Sequence, residues 1–367
     1  MKRTLSLCLQ GQGEPTLIRP ANLRYVSTTL QQSLDEVADG SGFSGVAQVL
    51  RGQEVLYERA SGFADRAHEI PNTAETRFGM ASGCKGFTAL VVMSLVNDGV
   101  LDLSTTVRSV LGDELDEIDP RVTVAHLISH TSGIGDYLDE SIVRDIAEYT
   151  LAVPVHQLSS TADYLAVLRG YPTKFPPGER FDYCNGGFVV LALMAEVAAQ
   201  TSFYELAARR VFEPAGMLAT EYLRSDQLPG SAAIGYLPTD DGWRTNHFHL
   251  PIRGSGDGGC YSTLGDMARF WPALFAGKIL PRPLVDEMVR PQFDVPEEGL
   301  RYGMGFWIGA DRETAVLEGM DVGVSFRSAY DPASEVLYTV ISNEAFGAWP
   351  LAKELDRWAL DLVRAGG

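Results

Sequence analysis

The sequence is poor in several features that would announce a function class. It holds 4 cysteines in 367 residues, and none forms a C-x-x-C pair. That excludes a disulfide-built scaffold, and the cysteines read as small buried apolar side chains. No apolar run reaches the roughly 18 residues of a membrane span. The best candidate, Ala89 to Val96, is interrupted by Ser94 and ends at Asn97-Asp98-Gly99. Positive charge is also scarce: Lys+Arg 30 against Asp+Glu 48 gives a formal net charge of −18. Such a chain is a poor match for nucleic-acid phosphates or an anionic bilayer, so neither is expected as a partner. Met1-Lys2-Arg3 followed by Thr4 to Leu9 begins like an export signal, but the apolar stretch stops at Gln10 and no small-x-small cleavage site follows. Leu7-Cys8 lacks the small residue expected before a lipoprotein cysteine. The expectation is a cytoplasmic protein.

What is present is the balance of a folded globular chain, 45% hydrophobic and 21% charged, with length for about two domains. Residues 23–38 carry apolar positions at helical spacing, and 43–62 read as two strands turning at Arg51-Gly52-Gln53. Lys85 to Asn97 is apolar nearly all round, which predicts a helix buried on every side. From about 116 to 290, helical stretches (184–200, 203–212) alternate with Pro/Gly loops such as Phe175-Pro176-Pro177-Gly178. Strands return at 302–309, 313–318, 322–330 and 335–342, and a helix closes the chain over 349–364. This order predicts an α/β (α+β) architecture: one sheet built from both termini and flanked by helices, with a mostly helical domain inserted. The sheet domain takes residues 1–115 and 291–367, the helical domain 116–290, and the cleft between them is the expected ligand site.

Two short motifs carry candidate chemistry. Met80-Ala81-Ser82-Gly83-Cys84-Lys85 is an S-x-x-K at the start of the buried helix. Residues at i and i+3 share a helix face, so Ser82 and Lys85 can meet. A helix N-terminus supplies positive potential and free N–H groups for a developing oxyanion. A lysine in apolar surroundings is a better base than one in water, and a serine nucleophile needs such a base beside it. The second motif is Tyr183-Cys184-Asn185, just before the stretch 184–200. A tyrosine there can pass protons if a nearby cation lowers its pKa, and an asparagine two residues on can hold a lysine or a substrate carbonyl.

The two motifs, in this order and about 100 residues apart, resemble those of the serine β-lactamase and penicillin-binding-protein superfamily, in its class C-like branch. That branch includes family VIII esterases, D-stereospecific peptidases and acyltransferases. Thr123-Val124-Ala125-His126-Leu127-Ile128-Ser129-His130-Thr131-Ser132-Gly133-Ile134, Phe175-Pro176-Pro177-Gly178 and Gly258-Gly259-Cys260-Tyr261-Ser262-Thr263 agree with the same family, so the likeness runs over roughly residues 30–365. The resemblance implies a β-lactamase/transpeptidase-like antiparallel sheet and a serine acyl-enzyme that needs no cofactor and no metal. It implies Ser82 as nucleophile, Lys85 as the base or its electrostatic helper, Tyr183 as sharing a proton with Lys85 and delivering one to the leaving group, and Asn185 as the residue that orients Lys85 and binds the substrate carbonyl. The implied partner is a small ester, amide or peptide substrate.

The family's third motif, Lys or His, any residue, then Gly, falls here on Leu317-Glu318-Gly319. The glycine is kept, with Met320 N–H to complete an oxyanion hole beside that of Ser82. The cation is missing: no Lys or His lies anywhere in 313–326, and Arg312 and Arg327 are the nearest cations. That departure favours ester, amide or acyl-transfer substrates over carboxylate-bearing β-lactams. It leaves acyl transfer, weak β-lactamase or D-peptidase activity, and a non-catalytic binder as alternatives. Other signals carry less. His126 and His130, at i and i+4, lack the glutamate of a metalloprotease helix. His247 and His249 would share a face on a strand; surface or structural roles are expected ahead of a substitute cation lining the cleft. Gly254-Ser255-Gly256-Asp257-Gly258-Gly259 fits GxGxxG without the strand or the later acidic residue of a nucleotide site. No G-x-S-x-G elbow occurs, which argues against an α/β-hydrolase.

Overall fold

The computed structural model describes residues 20–366 other than 144, 311 and 312. The leader-like segment Met1 to Leu9, Cys8 and Arg312 therefore lie outside the described residues.

Eight strands form one antiparallel sheet: β1 (Gly45–Arg51), β2 (Glu54–Ser61), β3 (Phe293–Val295), β4 (Leu300–Tyr302), β5 (Trp307–Gly309), β6 (Ala315–Asp321), β7 (Val324–Asp331) and β8 (Val336–Ser342), in the order β2-β1-β8-β7-β6-β5-β4-β3. The two ends of the chain meet where β1 pairs with β8, from Gly45 opposite Ser342 to Arg51 opposite Val336. Central strands are buried on both faces and read as continuous apolar runs; every residue of β8 is buried.

Five helices matter for the site: α1 (Pro20–Ser41), α2 (Lys85–Asn97), α3 (Asn185–Ala199), α4 (Leu264–Phe275) and α5 (Trp349–Gly366). α1 and α5 cover one sheet face. Leu30, Leu34 and Ala38 of α1 recur every fourth position and pack with Leu351 and Leu355 of α5 onto Tyr57, Val316 and Tyr338. On the other face α2 is enclosed completely, with Lys85 through Leu95 all buried. It lies against α3, α4 and the sheet residues Val46, Leu317, Phe326 and Ile341. Among the described residues no single helix is long and apolar enough to cross a membrane.

The expected strand over 302–309 is instead the hairpin β4–β5, because Gly303-Met304-Gly305-Phe306 turns the chain onto the helices. A Cβ at Gly303 would stand 2.2 Å from Met288 O, and one at Gly305 (φ +80) 2.2 Å from Ala89 Cβ. β3 was not anticipated. The helical region also holds a small hairpin, Tyr236–Thr239 with Gly242–Thr245, and His247 and His249 follow it in a turn rather than alternating on a strand. Expected helix 203–212 is a short α-turn, Phe203–Ala207, followed by one wider π-turn, Ala208–Phe212.

Candidate active site

Ser82 sits in a single 3-10 turn, Ala81–Cys84, that leads directly into α2. The turn lies flat on β6. A Cβ added at Gly319 would be 2.5 Å from Ser82 N and 2.7 Å from Gly83 N, so only glycine permits this approach. Gly83 is needed as well, since its Cβ would stand 2.4 Å from the Phe326 ring. Ala81, just before the serine, takes a left-handed φ of +45°, a strained conformation for a residue with a side chain.

Lys85 opens α2 one turn on, and its Nζ is 2.8 Å from Ser82 Oγ. The same nitrogen is 2.7 Å from Asn185 Oδ1 and 2.7 Å from the main-chain O of Asp257. Both of these oxygens are pure acceptors. Lys85 Nζ is thus held between two fixed acceptors, with Ser82 Oγ as its third contact.

Asn185 is the first residue of α3, and both hydrogens of its side-chain amide are engaged, by Leu138 O and Glu140 Oε1, each at 3.0 Å. In this arrangement it orients Lys85; a substrate carbonyl would have to displace one of those two acceptors. The helix start is held from outside by Asp136, whose carboxylate accepts from Asn185 N at 2.6 Å and Gly186 N at 2.9 Å.

Tyr183 is half-buried and lines the cavity beside Ser82. Its ring packs 4.3 Å from that of His130 and stacks on Trp307. Burial pushes the phenol well above the usual tyrosine range, and the charges of Glu140 and Glu318 push the same way. This corrects the expectation of a cation-lowered tyrosine. Lys85 Nζ lies over the ring, 5.0 Å from its centroid, and spends its hydrogen bonds elsewhere. Tyr183 is a proton donor at neutral pH, not a phenolate.

On the strand side, the antiparallel alternation closes β6–β7 with Asp321 opposite Val324 and Gly319 opposite Phe326. The main-chain N–H of Met320 therefore points to the other edge, where pairing with β5 has ended at Val316. Leu317 is 2% exposed and packs on α2 over Gly86. Glu318 faces a cavity of about 1150 Å³ whose lining includes Ser82, Tyr183, Asn185, Gly319 and Met320. Directly across the ladder, Arg327 pairs with Glu318 at 3.1 Å and with Asp356 at 3.2 Å. The cavity wall is acidic, with Glu140, Asp145, Glu297, Glu298, Glu318 and Asp321 against Arg327 and Lys353.

The remaining singled-out residues have local partners. His126 closes a capping box with Thr123 on a helix that ends at Ile128, so His126 and His130 do not share a helix face. His130 Nδ1 accepts the Cys184 N–H. Cys84 is buried and its thiol is pushed up to about 11, while Cys184 and Cys260 are pushed well above the usual range by burial. Among the described residues no group of three or more His, Cys, Asp or Glu is placed to hold a metal. The glycine-rich stretch 254–259 is a collar on α2 and α3: Thr88 Oγ1 donates to Gly256 O, and a Cβ at Gly256 would stand 2.2 Å from Phe188 O. Sequence reasoning missed Asp257, which reaches Lys85 through its main-chain oxygen and so leaves no side-chain pattern. It also missed Asp136 and Glu140, which lie just past the segment singled out, Thr123 to Ile134.

Known proteins are similar to this chain in fold and sequence. A penicillin-binding protein from Bacillus halodurans superimposes with a TM-score of 0.82 at 37% identity, covering 88% of this chain and 99% of that one. A penicillin-binding protein of Bacillus subtilis is 27% identical over 299 residues, 76% of this chain and 62% of the relative. A D-aminopeptidase of Brucella anthropi is 30% identical over 233 residues, 62% of this chain and 41% of the relative. The chain thus spans less than two thirds of those two relatives' length. The family model named Beta-lactamase matches residues 30–362, and the chain belongs to that family.

Proposed function

We propose that this protein is a serine acyl hydrolase that cleaves small esters or amides through an acyl-enzyme on Ser82, and that it discriminates against substrates bearing a carboxylate beside the scissile bond. The observation that carries the reading is the three-way contact of Lys85 Nζ, held by Asn185 Oδ1 and Asp257 O against Ser82 Oγ at 2.8 Å. Lys85 takes the hydroxyl proton as Ser82 Oγ attacks the carbonyl carbon. The developing oxyanion lies between the main-chain N–H groups of Ser82 and Met320; losing one such donor costs about 100- to 1000-fold in rate. Tyr183, protonated, hands its proton to the leaving group, and the proton that Lys85 took from Ser82 replaces it. Water then attacks the acyl-enzyme with Lys85 again as base.

The carboxylate preference rests on the strand wall. Where the family's pattern has a cation, Leu317 is turned into the core, and the next residue brings the negative Glu318 to the cavity. The identity shared with a D-aminopeptidase is consistent with an amide substrate. Steady-state hydrolysis of p-nitrophenyl butyrate by wild type and Ser82→Ala tests the mechanism. Turnover should be lost in the variant, by about 10⁴-fold or more; a variant retaining the wild-type rate would remove Ser82 from the nucleophile's role.

A further inference from the structure

The five residues Asp136-Tyr137-Leu138-Asp139-Glu140 touch every group that positions Lys85, although none of them reaches Lys85 Nζ. Asp136, 5% exposed, takes the N–H groups of Asn185 and Gly186. Leu138 O and Glu140 Oε1 take the two amide hydrogens of Asn185, which forces the amide oxygen to be the atom that faces Lys85. Tyr137, 6% exposed, donates its hydroxyl to the carboxylate of Asp257, the residue whose main-chain oxygen is the other acceptor of Lys85. Asp139 shares Lys174 with Asp182, the residue before Tyr183, at 2.9 Å on each side.

We infer that Asp136–Glu140 is a positioning clasp for the general base: by holding Asn185 through its backbone and amide and Asp257 through its carboxylate, it fixes both acceptors that hold Lys85 Nζ against Ser82 Oγ. The inference rests on the function proposed above. Each link is a buried or half-buried bond to an atom one residue removed from the chemistry. Loosening one acceptor lets Lys85 rotate about its own side chain, and its nitrogen then spends less time within reach of the serine hydroxyl. Displacements near 1 Å at a reacting group cost on the order of 100-fold in rate. The effect belongs to the step in which Ser82 gives up its proton, so it should lower kcat and leave KM nearly unchanged.

The test uses the rate at which a fluorophosphonate labels Ser82, followed by intact mass, together with kcat and KM on p-nitrophenyl butyrate and thermal midpoints for each variant. Tyr137→Phe removes only the hydroxyl that holds Asp257 and should slow labelling about 10- to 100-fold with KM within about threefold of wild type. Glu140→Ala alters an exposed side chain, so folding is not at stake, and should slow labelling about 3- to 10-fold by freeing one amide hydrogen of Asn185. Tyr57→Phe is the matched control. It breaks a Tyr–Asp bond (to Asp35, 3.1 Å) on the α1 side of the sheet and should label at the wild-type rate whatever its thermal midpoint. Labelling of Tyr137→Phe and Glu140→Ala within about twofold of wild type, or a rise in KM with kcat held, would overturn the clasp. Wild type that never labels, or Ser82→Ala that does, would instead bring down the underlying function.

Discussion

The helical wall of the cavity and its strand wall handle polar groups in opposite ways. On the helical side, at the starts of α2 and α3, Ser82, Lys85 and Asn185 are bonded to one another and braced from behind by Asp136 and Asp257. On the strand side, β6 offers a bare main-chain edge at Met320, an apolar Leu317 and a carboxylate, Glu318, whose partner Arg327 is shared with Asp356. The difference separates two jobs. In the proposed mechanism the helical wall moves a proton and tolerates little displacement, while the strand wall selects the acyl group, so its side chains can change without disturbing the base.

That division can be broken at Gly319, where the walls touch through backbone. Gly319→Ala places a Cβ 2.5 Å from Ser82 N, and the atoms it meets are main chain, which has no rotamer to yield. Turnover of p-nitrophenyl butyrate should fall about 100- to 1000-fold, the loss expected of one oxyanion donor, with a lower thermal midpoint. Activity within tenfold of wild type would show that the Ser82 turn is not seated on β6 in the working enzyme. Glu318→Gln sharpens the comparison by changing charge on the strand wall alone. The ratio of kcat/KM for a carboxylate-bearing cephalosporin to that for the neutral ester should rise about tenfold, roughly 1.4 kcal/mol. An equal change for both substrates would place Glu318 in the chemistry instead of in selection. The smallest effect concerns stability. Burial, with repulsion from Asp257 and Glu140, raises Asp321 from 3.8 to about 7. An acid raised by folding holds its proton more tightly in the folded state. Its contribution is therefore complete below about pH 4 and is lost as the pH climbs through about 7. Asp321→Asn should raise the thermal midpoint by about 2–4 °C at pH 8 and leave it unchanged at pH 4. An equal shift at both values would mean that Asp321 does not titrate in that window.

How much of this was legible depends on which atoms do the work. Ser82, Lys85, Tyr183 and Asn185 act through side chains at helix starts, where i and i+3 spacing can be read without coordinates. The sheet built from both termini was legible because β1 and β8 are largely apolar and β7 alternates apolar with polar residues, each bounded by turn residues. The hairpin β4–β5 was not, since Gly303 and Gly305 bend the chain only to clear α2 and Met288. Asp257 works through a carbonyl that every residue has, and Asp136 through a helix start about 50 positions away. The neutral state of Tyr183 follows from burial and nearby carboxylates, both properties of the folded cavity.

The central claim is that Ser82, with its proton taken by Lys85, becomes covalently acylated. Intact-protein mass after incubation with a fluorophosphonate, on wild type and Ser82→Ala side by side, tests it most directly. One adduct on wild type, mapped to the peptide holding Ser82 and absent from the variant, is the predicted result. An unmodified wild type, or an equal adduct on both proteins, would contradict it.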